Sequence, residues 1–452
     1  MLMNWKQLLS NKRLGQEGLS NRYDDRTEFQ RDYDRLIFSA PFRRLQNKTQ
    51  VFPLPGSIFV HNRLTHSLEV SSVGRSLGND VSRLLLERHP QLVDTHFTEL
   101  GSIVSAACLA HDLGNPPFGH SGEKAIGTYF SEGDGLFLKH YVCEQTGDCL
   151  NPKQWEDLTH FEGNANAFRL LTHHFNGRRK GGFVMTYSTL ASIVKYPFSS
   201  DLAGDKLKFG FFRSEVDDYC RIADELGILK LDAPEGSYRY ARYPLVYLVE
   251  AADDICYQIM DIEDAHKLKL LTTGQVKELF LNYFPEEQRY RIAARMDTLE
   301  DVNEQIVYLR SCVINCLEQE CVHVFVEHEE EFLSGTFSGT LINNISEIPR
   351  NAYDECEKVA NSSIYHCKDV VDIEIAGYKV ITQLTDLMIK AVTEPDKAFS
   401  KLLINRVSPQ YQMSAPTLYE RVMAVLDYIS GMTVVFALDL YRKINGMSLP
   451  DV

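Results

Sequence analysis

Apolar positions three and four residues apart recur along most of the chain. From Val70 they run Val70, Val73, Leu77, Val81 and Leu84, which is one face of a helix. A second run, Leu100, Ile103, Val104, Ala107 and Cys108, keeps that spacing and stops at Gly114, with Pro116 beyond it. A third covers Leu245, Val249, Ala252, Cys256 and Ile259, and stretches 302–326, 371–392 and 419–444 have the same period. Alternating patterns are sparse; RYARY at 239–243 is the best candidate for a short hairpin. The expected fold is all-α. Residues 131–160 and 198–210 are too polar and broken to join the pattern, so they read as long surface excursions, which often carry function. A boundary near 290 is expected to separate a site-bearing part, 1–290, from a helical C-terminal part, 291–452.

Composition narrows the class. The chain has 452 residues, 44% of them hydrophobic, enough for a large core. Its longest apolar stretches, such as LVYLV and TVVFAL, are too short to span a bilayer, so no membrane partner is expected. MLMNWKQLLSNKR turns polar at once, which argues against export, and ten irregularly spaced cysteines read as reduced thiols. A cytoplasmic location follows from these three readings. A net charge of −15 excludes a general phosphate-backbone binder, although a few local basic residues still suit a phosphorylated small molecule. RRK at 178–180 reads as a solvated loop, and Cys312, Cys316, Cys321 and His323 read as part of a helix, because their spacing matches no zinc site.

One segment does not fit a purely structural reading. HDLGNPPFGHSGE, 111–123, closes the apolar 100–110 run with an adjacent histidine and aspartate. His111 continues the core face of that helix, and Asp112 follows at its end. His66, in NRLTHSLEV, precedes Val70 and Val73 by 4 and 7, on the core face of its own helix. Two imidazoles and a carboxylate therefore converge, a donor set suited to a divalent metal. A further carboxylate is expected from LVEAADDICYQIMDIEDA, 248–265. Asp253 shares a face with Val246, Val249, Cys256 and Met260, whereas Asp254 is turned away by about 100°. Tyr257 and Asp261 continue the Asp253 side, and Glu250, Asp254, Glu263 and Asp264 read as a solvated acidic face.

These residues match the H…HD…D signature of HD-domain phosphohydrolases, and the match extends further. RLQNKTQVF (44–52), NRLTHSLEV (62–70), HDLGNPPFGHSGE (111–123), HFEGNANAFR (160–169) and EAADDICY (250–257) together resemble the bacterial deoxyguanosine triphosphate triphosphohydrolases over roughly residues 20–265. The resemblance implies an all-α HD-domain core with an added helical C-terminal region. It implies hydrolysis of a deoxynucleoside triphosphate, dGTP by default, at the α-phosphorus to deoxynucleoside and triphosphate. His66, His111, Asp112 and Asp253 would hold one divalent ion, Mg²⁺ or Mn²⁺, with other transition metals also suited to the donors.

The resemblance also makes His120 and Glu123 the catalytic pair; as a helix start, the same two residues form a capping arrangement. It gives Arg63 a phosphate, Gln50 the sugar 3′-hydroxyl, and Tyr257 and Asp261 the deoxyribose. Asn115 is similar to a substrate-facing position, Lys195, Tyr196 and Lys208 to contacts of the outer phosphates, and His160 and Glu162 to the lining of the site. NRVSPQY, 405–411, is the candidate for reading the base. Members of the family commonly form homo-oligomers, often hexamers, and some respond to a second dNTP or to single-stranded DNA. The rival readings are another HD-domain nucleotidase or phosphodiesterase, and a nucleotide-sensing regulator that binds single-stranded nucleic acid. Gln50, Arg63, the Tyr257–Asp261 pair and PPFGHSGE favour the first reading over the former. Retention of all four ligands and the dyad favours it over the latter.

Overall fold

In the computed structural model, which describes residues 2–16, 25–52, 60–144 and 146–448, the described residues form helices and no strand. The helices that frame the site are α1 (Glu28–Ile37), α2 (Arg63–Arg88), α3 (Leu100–Ala110), α4 (His120–Ser131), α5 (Pro152–Thr159), α6 (Gly163–Thr172), α7 (Pro244–Lys267), α8 (Val302–Glu327), α9 (Glu347–Ser363), α10 (Lys368–Thr393), α11 (Leu418–Ser430) and α12 (Val434–Ile444). The all-α expectation holds. Arg239 and Tyr240 of the expected hairpin make only isolated bridges, to Phe198 and Lys230.

The α2–α3 pair is the centre of the fold. Ser82 bonds the Phe97 carbonyl at 2.9 Å and Ser71 bonds the Ser105 carbonyl at 2.9 Å, so the two helices run antiparallel. Glycines let them approach closely. A β-carbon at Gly78 would sit 2.8 Å from the Gly101 backbone, and one at Gly74 would sit 2.5 Å from Cys108 Sγ and 3.6 Å from Ala252 of α7. This antiparallel register brings the start of α2, with Arg63 and His66, beside the end of α3, with His111 and Asp112. The same crossing lays α7 across both helices, with Asp253 next to His66.

Two hydrophobic clusters hold the molecule together, and both cross residue 290 in sequence. One joins α2, α3 and α7 to Leu309, Val313, Leu317 and Phe325 of α8 and Ala352 of α9. The other joins Ile126 and Phe130 of α4 to Ile381 and Leu384 of α10 and to Val422 and Val425 of α11. The C-terminal part thus shares both cores with the part that carries the site.

Two stretches differ from expectation. Residues 131–160 contain α5, whose start is encoded by NPKQ: Asn151 caps the Gln154 amide, Gln154 returns the bond, and Pro152 sits at the first turn. The 419–444 run is two helices, bent by 111° between Ser430 and Val434, because Thr433 caps a new helix start. No single described helix is long and apolar enough to cross a membrane.

The loop between α3 and α4 is pressed into shape from outside. Phe118 and Gly119 both have positive φ, +67° and +57°, and Phe118 lies against Gly377 of α10, where a β-carbon would come within 2.5 Å of its ring. Ser121 and Thr128 of α4 bond the Glu374 carbonyl at 2.8 Å and the Tyr378 hydroxyl at 2.6 Å, on the same face of α10. Gly377→Ala is expected to destabilise the protein by about 1–3 kcal/mol through this clash. Gly274→Ala, where a β-carbon meets nothing within 4 Å, is expected to be neutral or stabilising. Thermal unfolding of the two variants checks the contrast.

Candidate active site

Asn62 caps α2 by accepting the Leu64 and Thr65 amides, which fixes Arg63 and His66 in the first turns. His111 closes α3. Its Nδ1–H donates to the Cys108 carbonyl at 2.6 Å, and because a carbonyl only accepts, this bond places a proton on Nδ1 and turns Nε2 toward the other donors. That Nε2 is buried without a hydrogen-bond partner among the described residues; Asp253 Oδ1 lies 3.5 Å away and Asp112 Oδ1 3.7 Å. Donor atoms of His66, His111 and Asp112 all lie within 4.8 Å of one another. Asp253 Oδ1, the fourth expected donor, is 3.1 Å from His66 Nε2 and 3.5 Å from His111 Nε2, beside this group of three.

This donor set fits a divalent cation. Bonds of about 2.1 Å place neighbouring octahedral ligands about 3 Å apart, close to the His66–Asp253 separation. The orphaned imidazole nitrogen of His111 points at the shared centre, and a buried polar atom without a partner is costly unless something binds it. The electrostatics agree. Burial opposes a charge on His111, but the Asp112 and Asp253 carboxylates outweigh it and lift the ring to about 9. For Asp253, burial is outweighed by His111, His66 and Lys195, and its carboxyl is held well below the usual range. A pocket that holds a proton so firmly offers the same negative potential to a metal ion.

Asp112 is also held from two other sides. Arg63 Nη1 donates to its Oδ2 at 2.7 Å, and the Asn115 side-chain amide donates to its Oδ1. Arg63 passes so close to Gly119 that a β-carbon there would meet Nη2 at 2.5 Å. Glycine at 119 therefore serves both the positive φ and the guanidinium.

His120 starts α4, and its Nδ1–H donates to Glu123 Oε2 at 2.9 Å. The hydrogen bond to Glu123 and the charge of that carboxylate raise the imidazole above its usual range. Glu123 is buried, which alone would raise its pKa, but the bond from His120 and the charges of His120 and Lys208 hold it low. Its other oxygen accepts the Gly163 amide at 2.9 Å, at the start of α6. The His120 side chain is 78% exposed, so its second nitrogen opens outward. The dyad expected at the helix start is formed.

Along α7 the acidic positions are not a solvated face. Glu250, Glu263 and Asp264 are buried and paired: Glu250 with Lys195 and Arg242, Glu263 with Lys267 and Arg310, Asp264 with His61 and Lys267. Asp254 is half-buried, and burial, with Asp253 and Glu250 nearby, pushes its carboxyl up to about 7 against the pull of Lys195. The four acids sit on a helix covered by α8 and α9, contacts the α7 pattern alone does not show. Tyr257 meets the His66 ring edge-on at 6.4 Å and the Tyr365 ring at 6.0 Å. Tyr365 donates to Asp261 Oδ2 at 2.7 Å, while burial pushes the Asp261 carboxyl up to about 8.

The remaining expected residues lie around this centre. Glu162 caps α6 and pairs with Lys208 at 2.8 Å. Lys195 is 3.5 Å from Glu250, and the half-buried Tyr196 follows it in the chain. Gln50 Oε1 is buried with no hydrogen-bond partner among the described residues. The His160 ring contacts the Ser200 carbonyl and the Glu156 carboxylate, whereas none of its described polar contacts reaches the metal set. In the 405–411 stretch, Tyr411 packs against Phe175 and Tyr428. Sequence reasoning missed three contributors. Asn166, inside HFEGNANAFR, bonds the Gly114 carbonyl at 2.7 Å, and Lys48, inside RLQNKTQVF, reaches the Asn115 carbonyl. Both lay in quoted motifs but carried no ligand pattern. Tyr365 comes from 104 residues beyond its partner, and no local signal points to it.

An antiparallel histidine-bearing pair crossed by an aspartate-bearing helix defines an HD-domain protein, and the HD domain family model matches residues 63–181. A phosphohydrolase-associated domain matches residues 344–443. The chain is 37% identical to a deoxyguanosinetriphosphate triphosphohydrolase-like protein of Synechocystis sp., covering 99% of this chain and 100% of the relative. It is 36% identical to one of Pseudomonas aeruginosa with the same coverage. It is also 30% identical to a deoxyguanosinetriphosphate triphosphohydrolase of Salmonella arizonae, over 95% of this chain and 96% of that protein. The chain belongs to the deoxyguanosinetriphosphate triphosphohydrolase family.

Two outcomes are expected of the metal set. Asp253→Ala is expected to abolish Mn²⁺ binding by removing a candidate donor, whereas Asp254→Ala, which has no described bond to His66 or His111, is expected to retain it; calorimetric titration separates them. His111 contributes proton-linked stability to the metal-free protein that is complete below its ordinary 6.5 and is lost as pH rises through about 9. Mn²⁺ displaces that proton, so Mn²⁺ affinity should strengthen over the same interval. Titrations in buffers of different ionisation enthalpy should show the released proton in the wild type and not in His111→Ala.

Proposed function

We propose that the protein hydrolyses a deoxynucleoside triphosphate, dGTP foremost, at the α-phosphorus to give deoxynucleoside and triphosphate. The observation that carries this reading is the juxtaposition of the four metal donors with the His120–Glu123 dyad, bridged by Arg63, which touches both Asp112 and Gly119. His66, His111, Asp112 and Asp253 would hold one Mg²⁺ or Mn²⁺ ion. Bound there, the ion supplies charge neutralisation at the α-phosphate and a more acidic water.

The chain's own groups provide the rest. Arg63 presents a buried guanidinium beside Asp112, suited to an α-phosphate oxygen. Hydrolysis at phosphorus breaks the bond to the sugar O5′, and the departing oxygen needs a proton. His120, held toward its protonated form by Glu123, is the donor, and Glu123 restrains the ring through Nδ1 so that the outward nitrogen delivers it. Gln50 Oε1 accepts the 3′-hydroxyl, and Asp261 with the Tyr257 ring forms the deoxyribose seat, where the ring fills the space of a 2′-hydroxyl. Asn115 orients Asp112 as it faces the substrate. Lys195, Tyr196 and Lys208 meet the β- and γ-phosphates, with Lys208 released from Glu162 as they arrive, and His160 and Glu162 shape that wall from behind.

Incubating the protein with each dNTP and Mn²⁺ is expected to yield tripolyphosphate and deoxynucleoside, fastest from dGTP. Pyrophosphate, orthophosphate or no turnover would overturn the proposal. Glu123→Gln is expected to lower kcat by about 10²–10⁴-fold. Because Glu123 is what raises His120, the alkaline limb of the pH–rate profile should move to lower pH in Glu123→Gln. An unmoved limb would remove His120 as the acid.

A further inference from the structure

Lys48 is a buried amine that the chemistry above does not use. The residue is 2% exposed, and its Nζ donates to two backbone carbonyls, Asn115 and Ser430, the latter at 2.9 Å. No carboxylate bonds it among the described residues, and burial, with Arg44 and Arg63 nearby, holds it well below the usual lysine range. Burying a polar amine is costly unless its hydrogen bonds are made, and a leucine or methionine would fill the space without that cost. What the two hydrogen bonds gain is visible in their acceptors. Ser430 is the last residue of α11, whose final carbonyls have no partner within the helix and gather the negative end of its dipole. Asn115 is the residue whose side chain holds Asp112 Oδ1.

We propose that Lys48 is a positioning residue for the metal site, tying the end of α11, within the phosphohydrolase-associated region, to the Asn115 loop and so setting the Asp112 carboxylate. The path is continuous: Ser430 carbonyl, Lys48 Nζ, Asn115 carbonyl, Asn115 side-chain amide, Asp112. The bend between α11 and α12 ends α11 at Ser430 and leaves its carbonyl available. Through Lys48, the C-terminal region contributes to cation affinity without supplying a ligand. The inference rests on the metal reading of His66, His111, Asp112 and Asp253.

The test is Mn²⁺ binding to the full-length, metal-stripped protein, measured by calorimetry without substrate, for wild type, Lys48→Met, Asn115→Ala and the double variant. Lys48→Met should bind Mn²⁺ about 10–100-fold more weakly, the usual effect of losing a group that orients a metal ligand. Asn115→Ala should lose a similar factor, and the double variant should lose no more than the larger single, because both act on Asp112 in series. Lys48→Met affinity within twofold of wild type overturns the proposal even if its melting temperature falls, since that is a packing role alone. Additive losses in the double variant also overturn it. If Lys48→Met does not fold, Lys48→Leu, which also fills the space without a donor, takes its place under the same criteria. A wild type that takes up no Mn²⁺ overturns the metal reading itself and this inference with it, whereas normal wild-type binding with unchanged variants overturns this inference alone.

Discussion

Two carboxylates, Asp112 and Asp253, are brought to the same pair of imidazoles in the interior of an acidic protein, and their mutual repulsion must be neutralised. The surroundings serve that end: Arg63 and Asn115 on Asp112, Lys195 near Asp253, and a proton on His111 when no metal is bound. Each of these is a partial substitute for the charge of a divalent ion. The close glycine-lined crossing of α2 and α3 creates the problem by forcing the donors together, and it also makes the site rigid.

The dyad depends on the same scaffold from the other side. PPFG carries two consecutive residues at positive φ and is shaped by Gly377 of α10, and Glu123 is anchored by the amide that opens α6. The candidate metal donors come from α2, α3 and α7, whereas the His120–Glu123 pair is held by α4, α6 and α10. Arg63 is where the two halves meet. Because both hydrophobic clusters run across residue 290, the C-terminal part acts as a wall of the site, placing Tyr365 on Asp261 and Ser430 behind Asn115.

The legible part of this site was set by local period. His66, His111 and Asp253 fall on core faces of amphipathic helices, so their convergence follows from spacing, and His120 and Glu123 are separated by one helical turn. The burial of Glu250, Glu263 and Asp264 was not legible, because it depends on Arg242, Arg310 and His61, cations that lie outside the α7 pattern. The break at Gly431 was hidden inside a continuous apolar run, and its signal was the capping threonine at 433 rather than the period. Lys48 and Tyr365 act through long-range pairing, to which local pattern is blind.

In the proposed reaction, water adds to the α-phosphorus while the sugar oxygen departs with a proton. Turnover of dGTP with Mn²⁺ in ¹⁸O-water, with both products weighed by mass spectrometry, tests it most directly. One ¹⁸O in the tripolyphosphate and none in the deoxyguanosine is the predicted result. Label in the deoxyguanosine would mean attack at the sugar carbon and would contradict the account.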